Sequence, residues 1–575
     1  MNFIKTVLAV LVAQFLLMFT IFFGLVVMSS LLTKDQAVHV VDGSWLVIDI
    51  YGDIPPYNEP ESISSSIFDE GETLTRLLES LEKAAADKRV DGVILKVSGT
   101  NSLGMASLGE VRDAVADVRA AGKPVYAYSD ELDRNALYLA AACDSIFMPD
   151  VADVIFTGFG SVDMFVKGTL DKLDIHENLH KIKDYKTAAE TVQRDSMSDQ
   201  AKEMARWMMD EMWDVELGAI ARDRSLPVDS LEACMQRALF TAPEAKAAGL
   251  IDDVRYWDEL EESLGGDDFE TVTQETYADV TRSEAGLKGK KHIAVVHAYG
   301  MIGGRESHTD PSLGVLMGHE TVVESLRDAA ENDRVEAIIF RVDSPGGESL
   351  ASELISREVG RIAKDKPVIV SMGDVAASGG YAVSYRATKI VADSLTVTGS
   401  IGSIFGKLNL AGLWNKGGVT FDYVTRGANA LLFSGITDFD EAQWARVKEF
   451  HNASFDRWLD DIAVARKMTV EELRPLTEGR VWTGRQAVAH GLIDDTGGFQ
   501  RAVEVAKAEA GIDSSDVVVF DHYPKRRGLY DLLLSGDAPL TLTRLVVDHW
   551  MRHDLAETSR FVHAGDWRLW TGRFE

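Results

Sequence analysis

The feature that most constrains this chain is that it contains one unit twice. Leu46 to Gly52 resembles Ile293 to Gly300, and Val90 to Val97 (VDGVILKV) matches Val335 to Val342 (VEAIIFRV). Lys123-Pro124-Val125 matches Lys366-Pro367-Val368, Thr157-Gly158 matches Thr398-Gly399, and Ala245 to Asp253 matches Ala487 to Asp495. The matches keep their order at a nearly constant offset of about 240–250 residues, the mark of an internal duplication. Within each copy, short apolar runs alternate with helical patterns, at Leu78 to Ala86 and Val111 to Ala121 and again at Val322 to Ala330 and Ser352 to Ile362. This alternation predicts a mainly parallel sheet covered by helices, so the fold class is α/β in two tandem copies. A first repeat spans residues 40–270 and a second 290–510, joined by the polar, weakly patterned stretch Gly265 to Lys291. Residues 511–575 form a tail, with no counterpart in the first copy from about Asp513 onward. The long patterns Ser198 to Arg222 and Asp440 to Arg466 read as packing helices, their Met, Trp and Phe included.

Ahead of the repeats, Thr6 to Thr33 carries no charged residue and is rich in Leu, Val and Phe. About 20 apolar residues span a bilayer as a helix. The run exceeds the ~7–15 residues of a signal-peptide core, so residues 1–33 are expected to be one uncleaved transmembrane anchor, with a cleaved signal as the alternative. The slight positive excess at Lys5 and the amino terminus favours a cytoplasmic start and the bulk of the chain outside. A formal charge of −32 argues against nucleic-acid binding, because phosphate contacts need a basic face. Two cysteines, Cys143 and Cys234, exclude a disulfide scaffold and a Cys-based zinc site.

The two copies have diverged in complementary ways. In the second, the apolar run Pro367 to Val370 leads into Ala376-Ala377-Ser378-Gly379-Gly380-Tyr381, which puts Ser378 at a strand-to-helix turn. A helix N-terminus favours developing negative charge there, and the glycines allow close approach of a substrate backbone. Superposed on Lys-Pro-Val, the first copy has Asn135 where the second has Ser378. The first copy carries Asp184-Tyr185-Lys186-Thr187 about thirty residues past its Thr-Gly, where the second has Val424 to Asn429 and no lysine. One copy has kept a lysine and the other a serine, so facing copies could assemble one Ser–Lys pair. A serine hydroxyl needs a base, and a lysine serves only when neutral, about three units below its free value near 10.4. Burial supplies shifts of that size. Ser400, in Thr398-Gly399-Ser400-Ile401-Gly402, is the candidate to orient the amine.

Acyl transfer also needs backbone donors for the tetrahedral oxygen. Ser344-Pro345-Gly346-Gly347 follows the predicted strand Ala337 to Val342, and Gly347 and Gly379 are the candidate donors, with Gly346 the near alternative. No His–Asp pair accompanies Ser378. His176 and His180 are spaced i, i+4 but without the glutamate of a zinc-peptidase helix, so no metal site is expected.

Taken together, Asp343-Ser344-Pro345-Gly346-Gly347, Ala376 to Tyr381, Thr398 to Gly402, Tyr185-Lys186-Thr187 with Glu190, and Arg480-Val481-Trp482-Thr483-Gly484 followed by Gly491-Leu492-Ile493-Asp494 resemble the long, two-copy form of the signal peptide peptidase A family. The likeness runs from the anchor to about Gly511. It implies a Clp-protease/crotonase-like fold in each half, with Ser378 as nucleophile, Lys186 as general base and Ser400 positioning the lysine. It implies a bowl-like homotetramer on the periplasmic face of a bacterial inner membrane, cleaving signal peptides and other apolar peptides, with no metal or nucleotide cofactor. Three positions depart from the family: Ala382 stands where tryptophan is common, Thr191 where proline is common, and Asp343 where asparagine is frequent. The competing readings are an inactive membrane scaffold of the same fold, a Ser/Lys amidase acting on small amides, and crotonase-like acyl-CoA chemistry.

Overall fold

The computed structural model describes Gly24 and residues 39–57, 71–310 and 312–525. The expected anchor, Gly24 apart, and the tail past Lys525 lie outside the described residues. No helix among the described residues is long and apolar enough to cross a membrane.

The first half is built on a six-stranded sheet, in the order Thr271–Thr273, Ser44–Gly52, Val90–Asn101, Val125–Tyr128, Ser145–Met148, Asp253–Val254. All five pairings are parallel. Helices cover the strands, which therefore read as continuous apolar runs and bury both faces. Leu46, Ile48, Ile50, Val93, Ile94 and Leu95 are fully buried. Helix Leu74–Ala86 starts where Thr73 accepts the Arg76 N–H, and it buries Leu74, Leu77 and Leu81 at helical spacing.

The second half repeats the plan in an eight-stranded sheet. Val518–Tyr523, Lys291–Tyr299, Val335–Ser344 and Val368–Ala377 run side by side and parallel. The sheet's edge strand, Val518–Tyr523, pairs with Lys291–Tyr299 as Thr271–Thr273 pairs with Ser44–Gly52. The repeat thus has a last strand beyond Asp513, where the sequence showed no counterpart. Only the hydrogen-bonding pattern is shared, and a parallel edge strand needs little side-chain identity.

Val368–Ala377 then forks: its first part pairs with Lys389–Ala392 and its last three residues with Val397–Gly399. In the first copy the matching strand is cut in two. Val125–Tyr128 stays in the main sheet, while Glu131–Asp133 joins Asp153–Phe156 and Ala238–Thr241 in a separate sheet. The cut falls at Ser129, whose hydroxyl accepts from Glu131 N–H (3.2 Å) and donates to Glu131 O (2.8 Å), a local turn that competes with the ladder.

A strand pairing and a buried polar cluster help hold the halves together. His176–Lys181 of the first pairs antiparallel with Ile404–Asn409 of the second. Helix Met105–Ala120 of the first has no side-chain cap of its own. Asp374 of the second half supplies it, accepting from Gly104 N–H (3.2 Å), Ser107 N–H (2.9 Å) and Ser107 Oγ–H (2.5 Å). One turn along, Glu110 takes both guanidinium ends of the buried Arg341 at 2.7 Å and the Phe499 N–H at 2.9 Å, between the halves. Both cysteines are free thiols.

Candidate active site

Val368–Ala377 ends at Ser378, and one helical turn, Gly379–Ala382, follows at once. Ser378 has φ 56° and ψ −112°, a backbone region that costs a non-glycine residue about 1–3 kcal/mol. The surroundings enforce it. Ser378 N–H donates to Gly399 O at 2.9 Å. A Cβ on Gly346 would lie 2.8 Å from Ser378 Cβ, and one on Gly380 would lie 2.5 Å from Ser344 O, so both neighbours must be glycine. The result is a half-buried serine held on a sharp strand-to-helix turn with its side chain free of any cap bond. In the first copy the same junction is made by Asp133 at φ −84°, which caps helix Arg134–Ala140 through the Ala136 N–H. That is an ordinary helix start, with Asn135 half-buried behind it and its buried Oδ1 unpartnered among the described residues.

Gly347 and Gly379 lie back to back across this turn. A Cβ on Gly379 would meet Gly347 N at 3.0 Å, and neither N–H finds a hydrogen-bond acceptor among the described residues. Gly347 is drawn to Ile302 by a parallel bridge in which Ile302 N–H donates to Gly346 O and Glu348 N–H to Ile302 O. Two vacant donors beside a strained serine suit an oxyanion. Gly346 N–H, the alternative, instead donates to Ser344 Oγ at 3.2 Å.

Lys186 reaches the same place from the first half. Its Nζ donates to Ser400 Oγ at 2.9 Å and Ser400 O at 3.0 Å, and Ser400 adjoins the Gly399 carbonyl that binds Ser378. The lysine is 6 % exposed and makes no ion pair among the described residues. Burial alone pushes its amine down from 10.5 to about 8. Its neighbours differ: Lys181 pairs with Glu190 at 2.9 Å and Lys183 with Glu478 at 2.8 Å, both outside the pocket. Ser400, at φ 49°, is held by its N–H on Arg480 O at 2.6 Å.

Two supports were not legible in the sequence. Gly479 packs flat on the lysine's backbone, where a Cβ would sit 2.3 Å from Lys186 N. Tyr185, Trp207 and Trp482 stack in a column (centroids 6.1 and 5.2 Å apart), with Arg480 3.7 Å over Tyr185. Trp207 lies on helix Asp199–Arg224, read from the sequence as a packing helix, and its indole N–H donates to Val481 O at 3.2 Å. Only positive φ at Gly479 and contact between two copies explain these roles, and neither shows in residue spacing.

His176 and His180 lie on a strand, where four residues span about 13 Å, so they cannot share one ion. His176 pairs with Asp438 at 3.2 Å and His180 with His451 at 2.8 Å. No group of His, Cys, Asp or Glu among the described residues could hold a metal.

The profile described as "Peptidase family S49" matches residues 117–267 and 361–513, once in each half. The chain is 33% identical over 482 residues to "Serine protease SPPA, chloroplastic" of Arabidopsis thaliana, covering 82% of this chain and 71% of that protein. It is 31% identical over 448 residues to "Protease 4" of Haemophilus influenzae (74% and 71% covered) and 30% identical over 484 residues to "Protease 4" of Salmonella typhi (81% and 76% covered). With a matching profile in each half and relatives named as proteases along most of its length, this two-repeat α/β chain belongs to peptidase family S49, a family of serine proteases.

Proposed function

We propose that the protein is an endopeptidase in which Ser378 attacks a peptide carbonyl while Lys186 takes its proton. The observation that carries this reading is the Lys186 amine: buried, unpaired with any carboxylate among the described residues, lowered to about 8 and bonded to Ser400 beside the Ser378 turn. As the Ser378 Oγ–carbon bond forms, the hydroxyl proton passes to the neutral amine. The carbonyl electron pair moves onto oxygen, where the Gly347 and Gly379 N–H groups receive it. The lysine ammonium then gives its proton to the departing amine, leaving an acyl-serine. Water repeats the sequence and frees the acid. Ser400 is a positioning residue that holds the amine through a hydroxyl and a carbonyl. The reaction needs neither metal nor nucleotide.

The apolar run 6–33 supports a single membrane anchor, and with the family likeness it favours signal peptides and other apolar peptides as substrates at the periplasmic face of a bacterial inner membrane. The two mainly parallel sheets support a Clp-protease/crotonase-like assignment for each half. A homotetramer is supported by the repeat itself. Segment 417–423 follows helix Ala411–Lys416 much as His176–Lys181 follows helix Lys167–Leu173. It pairs with no strand among the described residues and exposes Val419, Phe421 and Tyr423. Val162 and Met164 are exposed in the first half. A second copy could pair these edges.

The test is a fluorophosphonate probe and a peptide substrate on the full chain. Labelling should fall on Ser378 and vanish in Lys186→Ala, and Ser378→Ala and Lys186→Ala should each abolish cleavage while remaining folded. Normal turnover by either variant refutes the dyad. An inactive scaffold would leave the parent chain unlabelled.

A further inference from the structure

Away from Ser378, a cavity of about 110 Å³ lies between the halves. Leu74, Leu78 and Ala114 of the first half and Phe499 of the second give it apolar walls. His297, on strand Lys291–Tyr299, also lines it. This histidine is 8 % exposed, and its Nδ1 has no hydrogen-bond partner among the described residues.

The protons on this histidine follow from its neighbours. Glu79 Oε1 lies 2.9 Å from His522 Nε2, and His522 Nδ1 lies 3.0 Å from His297 Nε2. A carboxylate only accepts, so His522 donates through Nε2. When His522 carries only that proton, its Nδ1 accepts and His297 donates to it through Nε2. That leaves His297 Nδ1 as a bare lone pair in a buried place, a group that costs stability until it receives a donor. Desolvation and the neighbouring His522 and Arg341 hold His297 in its neutral form, well below the usual histidine range.

The charges around the cavity point the same way. Arg341 is taken up by Glu110 on both nitrogens, and Arg282 pairs with Glu82. Asp113 and Asp117, one turn apart on helix Met105–Ala120, line the cavity and make no ion pair among the described residues. Both residues keep contact with solvent, and desolvation pushes both carboxyls up, at Asp113 against the nearby Arg112 and Arg222 charges.

We propose that this cavity is a binding site for a small apolar ammonium ion, whose N–H groups donate to His297 Nδ1 and whose charge answers Asp113 and Asp117. The bare acceptor and the two unpaired carboxylates exclude an anion, and the apolar walls favour a short alkyl chain over a hydrated metal ion. A 150 Å³ apolar cavity holds a benzene ring, so about four to six heavy atoms fit here. Both halves line the site. An occupant would therefore strengthen their union without touching Ser378 or Lys186.

The probe is n-butylammonium chloride on the full chain, against sodium chloride, n-butanol and sodium butyrate at equal concentration. Ligand-observed NMR should show saturable transfer to butylammonium alone, and the thermal midpoint should climb with its concentration and not with the other three. His297→Phe keeps the ring and removes the acceptor; it should weaken binding tenfold or more, as should Asp113→Asn. Binding of butanol equal to butylammonium would reduce the site to a greasy void. Preferential binding of butyrate would invert the proton assignment. No saturable binding of any of the four, or butylammonium binding unchanged in both variants, would overturn the proposal as well.

Discussion

The lysine gives the sharpest prediction, because burial makes it pull activity and stability in opposite directions. Its amine sits at about 8 against 10.5 for the free group. That gap corresponds to about 3 kcal/mol of disfavoured charge. The folded chain releases a proton that the unfolded chain keeps between those two values. The penalty is therefore full below pH 8, fades as pH rises, and is gone above 10.5. Lys186→Met keeps the apolar stem and removes the charge, at the expense of leaving Ser400 Oγ and O without their donor, about 1 kcal/mol. Urea unfolding at pH 7 should show the inactive variant more stable by about 2 kcal/mol. That advantage should shrink as the pH is raised towards 10. The active chain should show the matching rate profile. The neutral fraction of an amine at about 8 is about one tenth at pH 7 and about nine tenths at pH 9. So kcat/KM should rise about tenfold and then level. An unshifted lysine would give about a hundredfold rise over the same span, still climbing past pH 10. A variant less stable than the parent at pH 7, or a rate with no plateau, would refute the neutral-base argument.

Other outcomes follow from the same contacts. Ser400→Ala removes one of two acceptors from the lysine and should lower kcat about ten- to a hundredfold with little change in KM, read from steady-state peptide hydrolysis. Gly379→Ala would push a methyl to 2.7 Å from Ser352 Oγ and 3.0 Å from Gly347 N. It should cut kcat by about 10²–10³ while circular dichroism stays unchanged. Arg341→Met strands Glu110 between the halves and should cost about 3–5 kcal/mol in chemical denaturation, whereas Arg341→Met with Glu110→Leu should recover most of it.

Much of the fold was open to reading because duplication makes a sequence its own comparison. Five matched segments gave the two α/β units, and the apolar strands and amphipathic helices follow from burial on a parallel sheet. Helices expected at Leu78 to Ala86 and Ser352 to Ile362 are Leu74–Ala86 and Ser349–Ile362, since caps and first turns carry weaker periodic signals than buried faces. The run after Ser378 is helical for one turn only, Gly379–Ala382, because its neighbours pack on Ser344 and Tyr381 anchors to Leu492 O at 2.8 Å. Lys186 and Ser378 could be named by what each copy lacks of the other, and Ser400 by its place after Thr398-Gly399.

The sequence alone determined that this chain is a doubled α/β unit whose copies hold complementary chemical groups, since pattern and composition are local properties that repetition exposes. Only the tertiary structure decided that Lys186 reaches, within one chain, the Ser400 that adjoins the Ser378 turn. Asp374 capping a helix of the other half, Glu110 clasping Arg341 and Gly479 lying flat on Lys186 are contacts between segments far apart in the chain. Burial then lowers the amine of an ordinary lysine to about 8, because loss of water, not residue type, sets the cost of its charge.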